Sequence, residues 1–339
     1  NISAAIPIAP IFQQVKIVFT NSIVPNIIYI ITAKNFSDCS GNIQTTTQSL
    51  QFALPDSIKH GDIIINEILY NPKSFGFDYL EIYNASNKTL DLKDLKIANT
   101  DQYGDLATIV QASTNSTIIF PKSYALITED TAWVKANYFT SNPKVFNEIS
   151  NLPSFNDDEG TVVLLNDNLD QIDSLHYFSS WQFKLLEVKD GVSLERISFD
   201  AATQDSSNWH SAAAVVGFGT PGLINSQVYE ESTSTDEISL DNKIFSPDQD
   251  GFKDFLVINY LFDKPGYVIS IKIFDEHGTI IRDLIRNSTV LQKGIITWDG
   301  LTDKSARASV GAYIVYAEIF DLNGKVKHFK ETCILAGKK

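Results

Sequence analysis

The strongest constraint on this chain is a repeated pattern of short β-branched and aromatic runs, broken every few positions by Gly, Asn, Asp or Pro. Apolar residues alternate in Ile63–Ile65 and again through Tyr79-Leu80-Glu81-Ile82-Tyr83, with Asn-Pro, Phe-Gly and Asn-Lys as the punctuation between and after them. Period-two alternation between turn residues is what a half-buried strand needs. Ile27–Ile31, Thr161–Leu165 and Ile314–Ile319 repeat the theme. A helical period is almost absent. The one helical expectation is a short amphipathic turn from Asp130 to Tyr138, capped within Thr128–Asp130 and carrying Trp133. The chain is therefore read as all-β, built from successive sandwiches.

A length of 339 residues, 43% of them hydrophobic, gives material for two or three domains with cores of their own. A net charge of −14 repels phosphate backbones and anionic lipid, so nucleic acid is excluded as a natural partner and cations or cationic proteins are favoured. Cys39 and Cys333 stand near opposite ends and cannot staple one domain, and so few cysteines fit either a reducing or an oxidising compartment. There is no methionine, even at position 1, which leads us to expect a mature product or a fragment. No stretch approaches the ~20 apolar residues that span a bilayer, so direct membrane insertion is not expected.

Composition divides the chain into units. Residues 1–58 hold only a few strands, fewer than the roughly seven of an immunoglobulin-like sandwich, and are read as the C-terminal part of such a domain. Tyr29–Lys34 followed by Asp38-Cys39-Ser40-Gly41-Asn42 resembles the closing strands of bacterial immunoglobulin-like repeats. Residues 61–226 carry Ile65-Asn66-Glu67-Ile68, Asp78–Asn84, Asp91-Leu92, Asn156–Gly160, Gly191–Arg196, Asn208-Trp209-His210 and Gly219-Thr220-Pro221-Gly222. That series resembles the lamin tail domain. The resemblance implies an immunoglobulin-like sandwich that is not itself catalytic, and in bacteria one found in surface proteins beside hydrolases or adhesive modules.

Residues 227–239 include the polar, acidic stretch Tyr229–Ser239, read as a solvated linker. In residues 240–339 the turns Asp275-Glu276-His277-Gly278 and Asp321-Leu322-Asn323-Gly324 each end on a glycine placed to take positive φ, as hairpin loops require. With Phe245–Asp254, Trp298-Asp299-Gly300, Val310–Tyr313 and the final Lys338-Lys339, this unit resembles FlgD-like immunoglobulin domains and the type IX secretion C-terminal sorting domains of Bacteroidota. The resemblance implies export to the extracellular or outer-membrane surface of a Gram-negative cell.

Few residues suggest chemistry. Asp248, Asp250 and Asp254 on a glycine turn can surround calcium with oxygen ligands, although Val257 stands where an EF-hand has its bidentate Glu; the favoured reading is that these Asp side chains cap their own turn. Glu67, Asp78 and Glu81 can be read as paired catalytic carboxylates. The competing expectation is that the two glutamates sit on alternating strands, facing solvent or pairing with a partner such as Arg196. The five histidines show no zinc-ligand spacing. Asn156–Gly160 is acidic enough to attract a cation, but a solvated turn before the strand at Thr161 is the favoured reading, and Tyr177, Phe178, Trp181 and Phe183 are either core or a platform for sugar rings. Ser57, Thr131 and Ser174 fall in Asp-Ser/Thr-aliphatic triplets that resemble the O-glycosylation pattern of Bacteroidota.

These observations favour a non-catalytic β-rich segment of an exported surface protein, working by binding or scaffolding, with a protein partner at the cell surface or outer membrane. Two alternatives stay open: a carbohydrate-binding accessory module that stacks glycan on Trp181 or Trp209, and the C-terminal region of an enzyme whose catalytic domain lies upstream.

Overall fold

The structure, a computed structural model, describes all residues except 12, 39, 185, 187, 230–236, 249–252, 322 and 338–339. Cys39, Asp250 with its Gly251 turn, the middle of the 227–239 linker and Lys338-Lys339 thus lie outside the described residues. Strands dominate, as the period-two pattern requires. Among the described residues the one α-helix is Thr131–Asn137, whose N-cap Asp130 accepts the backbone N–H of Trp133.

The central unit is a sandwich of two sheets. One has six strands in the order Phe146–Glu148, Tyr124–Thr128, Tyr79–Asn84, Ile63–Leu69, Leu194–Arg196 and Trp209–Ser211. The other has four, in the order Leu106–Gln111, Leu95–Thr100, Glu159–Asn166 and Gln171–Phe178. Ile63, Ile65, Leu80, Ile82 and Ile127 from the first meet Ile97, Val162, Leu164, Leu175 and Tyr177 from the second in one buried core. Burying such a side chain contributes about 1.5–3 kcal/mol, so this face sets the register of every strand that feeds it.

One irregularity decides which way the neighbouring polar residues point. Ile65 pairs with Ile82, but Glu67 pairs with Glu81, so Asn66 is an extra residue bulged out of the ladder. In a regular strand that kept Asn66 in the ladder, Glu67 would share the inward face of Ile63 and Ile65; with the bulge Glu67 turns outward and Ile68 turns in. The Ile65 backbone groups freed by the bulge are taken by a buried pair: Asp173 accepts its N–H at 2.8 Å and Arg196 Nε donates to its carbonyl at 2.6 Å.

The C-terminal unit is a second sandwich. Its three-stranded sheet runs Glu237–Leu240, Leu256–Leu261, Lys293–Trp298, and its five-stranded sheet runs Ile244–Phe245, Val326–Leu335, Gly311–Phe320, Val268–Asp275, Ile280–Thr289. Trp298 is fully buried between them, with its indole N–H donated to the Leu301 carbonyl at 2.9 Å. Gly278 and Gly324 take φ of 80° and 78°, closing the two repeated turns with N–H groups donated to Asp275 and Asp321 carbonyls.

Residues 1–55 form three two-stranded pairs, Ile2–Pro7 with Val15–Phe19, Tyr29–Ala33 with Gln48–Phe52, and Phe36–Ser37 with Ile43–Gln44. Phe52 stacks on both Phe19 and Tyr29. Asn26 joins this unit to the next, donating to Asp56 at 2.9 Å and accepting the N–H of Thr89 at 3.2 Å.

Candidate functional site

The outward turn at the Asn66 bulge lines up three carboxyl groups. Glu81 lies opposite Glu67, and Glu67 opposite Glu195, on three adjacent strands. Directly opposed residues share a face, so the three form a row across the sheet. The expectation that Glu67 and Glu81 face solvent or pair with Arg196 is corrected here: all three glutamates are fully buried. The reason is long-range. The segment Gly219–Gln227 folds back over this face and covers it.

Each carboxyl is occupied by the chain's own donors. Glu67 Oε1 accepts from the Tyr79 hydroxyl at 2.6 Å, the Ser193 hydroxyl at 2.5 Å and the Thr220 N–H at 3.0 Å. Glu81 accepts from Asn66 Nδ2 at 2.8 Å and the Gly222 N–H at 2.5 Å. Glu195 accepts from the Thr220 hydroxyl at 2.7 Å, the Ser226 hydroxyl at 2.7 Å and the Gln227 N–H at 3.0 Å. The three thus clamp the covering segment at Thr220, Gly222, Ser226 and Gln227.

Burial raises the pKa of all three carboxyls. Desolvation lifts Glu67 above its usual range; desolvation and then the neighbouring Glu67 lift Glu81 well above its own and push Glu195 to about 8. Arg196 points to the other face, donating to Ala201 and Thr203 as well as Ile65, with Asp173 at 3.7 Å. Asp78 does not join the row. Its carboxyl is pushed to about 7 by burial and by Asp157 and Glu129, in a different corner of the sandwich.

The other predicted residues are scattered. Ser57 is exposed and its N–H bonds to Asp56; Thr131 donates its hydroxyl to Glu148 at 2.9 Å; Ser174 accepts from Gln171 at 3.0 Å. Asp248 and Asp254 flank the stretch that includes Asp250, and among the described residues no group of three or more His, Cys, Asp or Glu is placed to hold a metal. Asn156–Glu159 is exposed, as a solvated turn should be. Tyr177 belongs to the core, stacked on Tyr70 at 4.4 Å. Trp209 is no sugar platform: it is buried, its N–H goes to the Thr203 carbonyl, and Arg196 covers its ring. Trp181 is half-buried and keeps one side at the surface.

Glu195 gives no sign of a site along the sequence, because no second acid stands on its own short strand. Its place opposite Glu67 follows only from pairing of strands far apart along the chain.

Residues 57–179 match the family described as Lamin Tail Domain. The matched span contains Glu67 and Glu81, while Glu195 and the covering segment follow it. No curated protein matches the chain. Among solved structures it is similar to CopC from Methylosinus trichosporium OB3b, 14% identical over 31% of this chain and 96% of that one, with a TM-score of 0.22. It is also similar to dimeric latent PorU from Porphyromonas gingivalis, 9% identical over 81% of this chain and 20% of that one, TM-score 0.23. PorZ, a surface component of the type-IX secretion system of the same bacterium, is 11% identical over 95% of this chain and 47% of that one, TM-score 0.24. The chain spans about half the length of PorZ and a fifth of PorU.

Beyond the lamin tail domain the chain stays tightly joined. Gln227, fully buried, donates its backbone N–H to Glu195 and accepts the Gly266 N–H from the C-terminal sandwich at 3.1 Å. Ala214 N–H donates to the Thr289 hydroxyl at 2.9 Å across the same joint. Among the described residues no helix is long and apolar enough to cross a membrane.

Proposed function

We propose that this chain is a non-catalytic binding and scaffolding region of an exported bacterial surface protein, with its last sandwich serving secretion or anchoring. The observation that carries the first half is the fate of the glutamate row. Acid–base catalysis needs carboxyls that a substrate can reach. Glu67, Glu81 and Glu195 are instead sealed and committed to fastening the covering segment, and through Gln227 to the next sandwich. Such a joint suits a rigid spacer that presents surfaces.

The second half rests on the resemblance of residues 240–339 to exported sorting domains. Deleting them in the native host is expected to leave the protein inside the cell, read by surface labelling of intact cells. Undiminished surface display of the deletion would overturn the sorting role.

A further inference from the structure

The glutamate row runs one strand further. His210 lies opposite Glu195, so Glu81, Glu67, Glu195 and His210 share one face across four adjacent strands, and all four are buried. His210 brings no charge to it: burial lowers the pKa of the ring, and Nδ1 lies 2.8 Å from the Ser211 carbonyl oxygen. The Tyr79 hydroxyl donates to Glu67, and burial first and the glutamates next raise the pKa of Tyr79, Tyr124 and Tyr138. Lys73 lies over the Tyr138 ring, 5.7 Å from its centre, and Glu148 on the far edge strand is taken by Thr131. Arg196 faces the other way, towards Asp173, and across the joint Lys264 is paired with Asp321. The covering segment Gly219–Gln227 has no ionisable side chain.

Protons therefore do the balancing that a cation would. The Thr220 hydroxyl, between Glu195 and Glu67, has one proton to give. While either carboxyl is protonated both contacts form. Once both are ionised, Thr220 can satisfy only one, and two opposed charges remain sealed away from water. Water relieves them, and it reaches the face when Gly219–Gln227 lifts.

The same cover carries the joint to the C-terminal sandwich. Gln227 donates its backbone N–H to Glu195 and accepts the Gly266 N–H with its side chain. Ser226 donates its hydroxyl to Glu195 and accepts the Ala213 N–H at 2.8 Å, and the next residue, Ala214, donates to Thr289. Both bonds across the joint thus stand one step from Glu195. We propose that the Glu67–Thr220–Glu195 contact is a proton latch on this joint: it fastens the two sandwiches while the row keeps a proton and frees the C-terminal sandwich to swing when the row ionises. Burial, and for Glu195 also the neighbouring Glu67, raises both pKa values, so the latch is closed in acid and neutral medium and opens as pH rises past about 8. Independent motion is the default for joined domains whose contact has loosened.

The test is nitrogen-15 relaxation of buried amides in the whole chain at about pH 6.5 and about pH 9.5, which reads how fast each sandwich tumbles. At the lower pH the two sandwiches are expected to share one rotational correlation time. At the higher pH that of the C-terminal sandwich should shorten by about a fifth or more relative to the lamin tail domain, with the dispersion of both sets of resonances kept. Glu195→Gln, which holds a permanent donor in place of the proton, should restore the common time at both values. If that variant fails to fold, Glu67→Gln, which neutralises the other carboxyl, takes its place. A common time at both pH values in the parent, separate times already at pH 6.5, a separation that the Gln exchange leaves unchanged, or collapse of the dispersion at pH 9.5 overturns the latch. A joint indifferent to pH leaves the scaffold reading intact, since a rigid spacer needs no switch.

Discussion

Glu67 and Glu195 meet on one hydroxyl: Thr220 Oγ1 lies 2.7 Å from Glu195 Oε1 and 3.3 Å from Glu67 Oε2. A threonine hydroxyl has a single proton to give. It can donate to one carboxyl only, and it completes a bond to the other only by accepting. A proton held on one carboxyl of the row lets both contacts form, which agrees with the raised pKa values of Glu67 and Glu195 and with opposed like charges being unfavourable in a sheet.

That proton makes stability depend on pH. Glu195 moves from an ordinary 4.5 to about 8 in the fold, so the folded state holds its proton where the unfolded chain has released it. Its contribution is full below about pH 4.5 and is lost as pH climbs towards 8. At about 1.4 kcal/mol per unit, the unit should lose about 2 kcal/mol or more between pH 5 and pH 9. Urea unfolding across that range checks this. Glu195→Gln, which mimics the protonated side chain, should flatten the dependence; an unchanged slope would contradict the shared proton.

Removing the centre of the row strands its donors. Glu67→Ala leaves the Tyr79 and Ser193 hydroxyls and the Thr220 N–H without their common acceptor. At about 1–3 kcal/mol for each buried group left unsatisfied, a loss of about 3 kcal/mol or more is expected. Denaturant titration reads it, and Glu67→Gln should lose clearly less.

The bulge makes a sharper prediction. Deleting Asn66 restores a regular ladder in which Glu67 still lies opposite Glu81 and faces outward, with Ile68 still turned in. What is lost is the Asn66 amide, which donates to Glu81 and to Asn225. The deletion should therefore fold but be destabilised, by about 1–3 kcal/mol for each buried acceptor left unsatisfied, as read by denaturant titration. Loss of dispersed methyl resonances would mean that the bulge itself is needed to hold the sheet.

The joint between sandwiches is expected to loosen on Gln227→Ala, which removes the acceptor of the Gly266 N–H but not the backbone bond to Glu195. Hydrogen exchange at Gly266 should quicken about tenfold or more, while amides of Ile63–Leu69 keep their protection. Equal exchange at Gly266 in both proteins would mean that the joint is held elsewhere.

Much of the architecture was legible along the chain. Alternation in Tyr79–Tyr83 and Ile314–Ile319 announces strands because packing one face of a pleated ribbon imposes a period of two. Asp275 to Gly278 and Asp321 to Gly324 announce hairpins because the last turn residue takes positive φ, which glycine adopts without strain. Asp130 announces the short helix because its side chain caps a free N–H. Glu67 and Glu81 were visible as a pair of acids, but their surroundings were misread.

The difference lies in range. Local pattern settles strand, turn and which residues share a face, since those follow from bonds and side chains a few positions apart. Only tertiary structure decided that Asn66 bulges, that Glu195 completes the row, and that a segment some 150 residues beyond Glu67 covers it. What lies over a strand's second face is chosen by distant parts of the chain competing to bury it, and alternation carries no record of the winner.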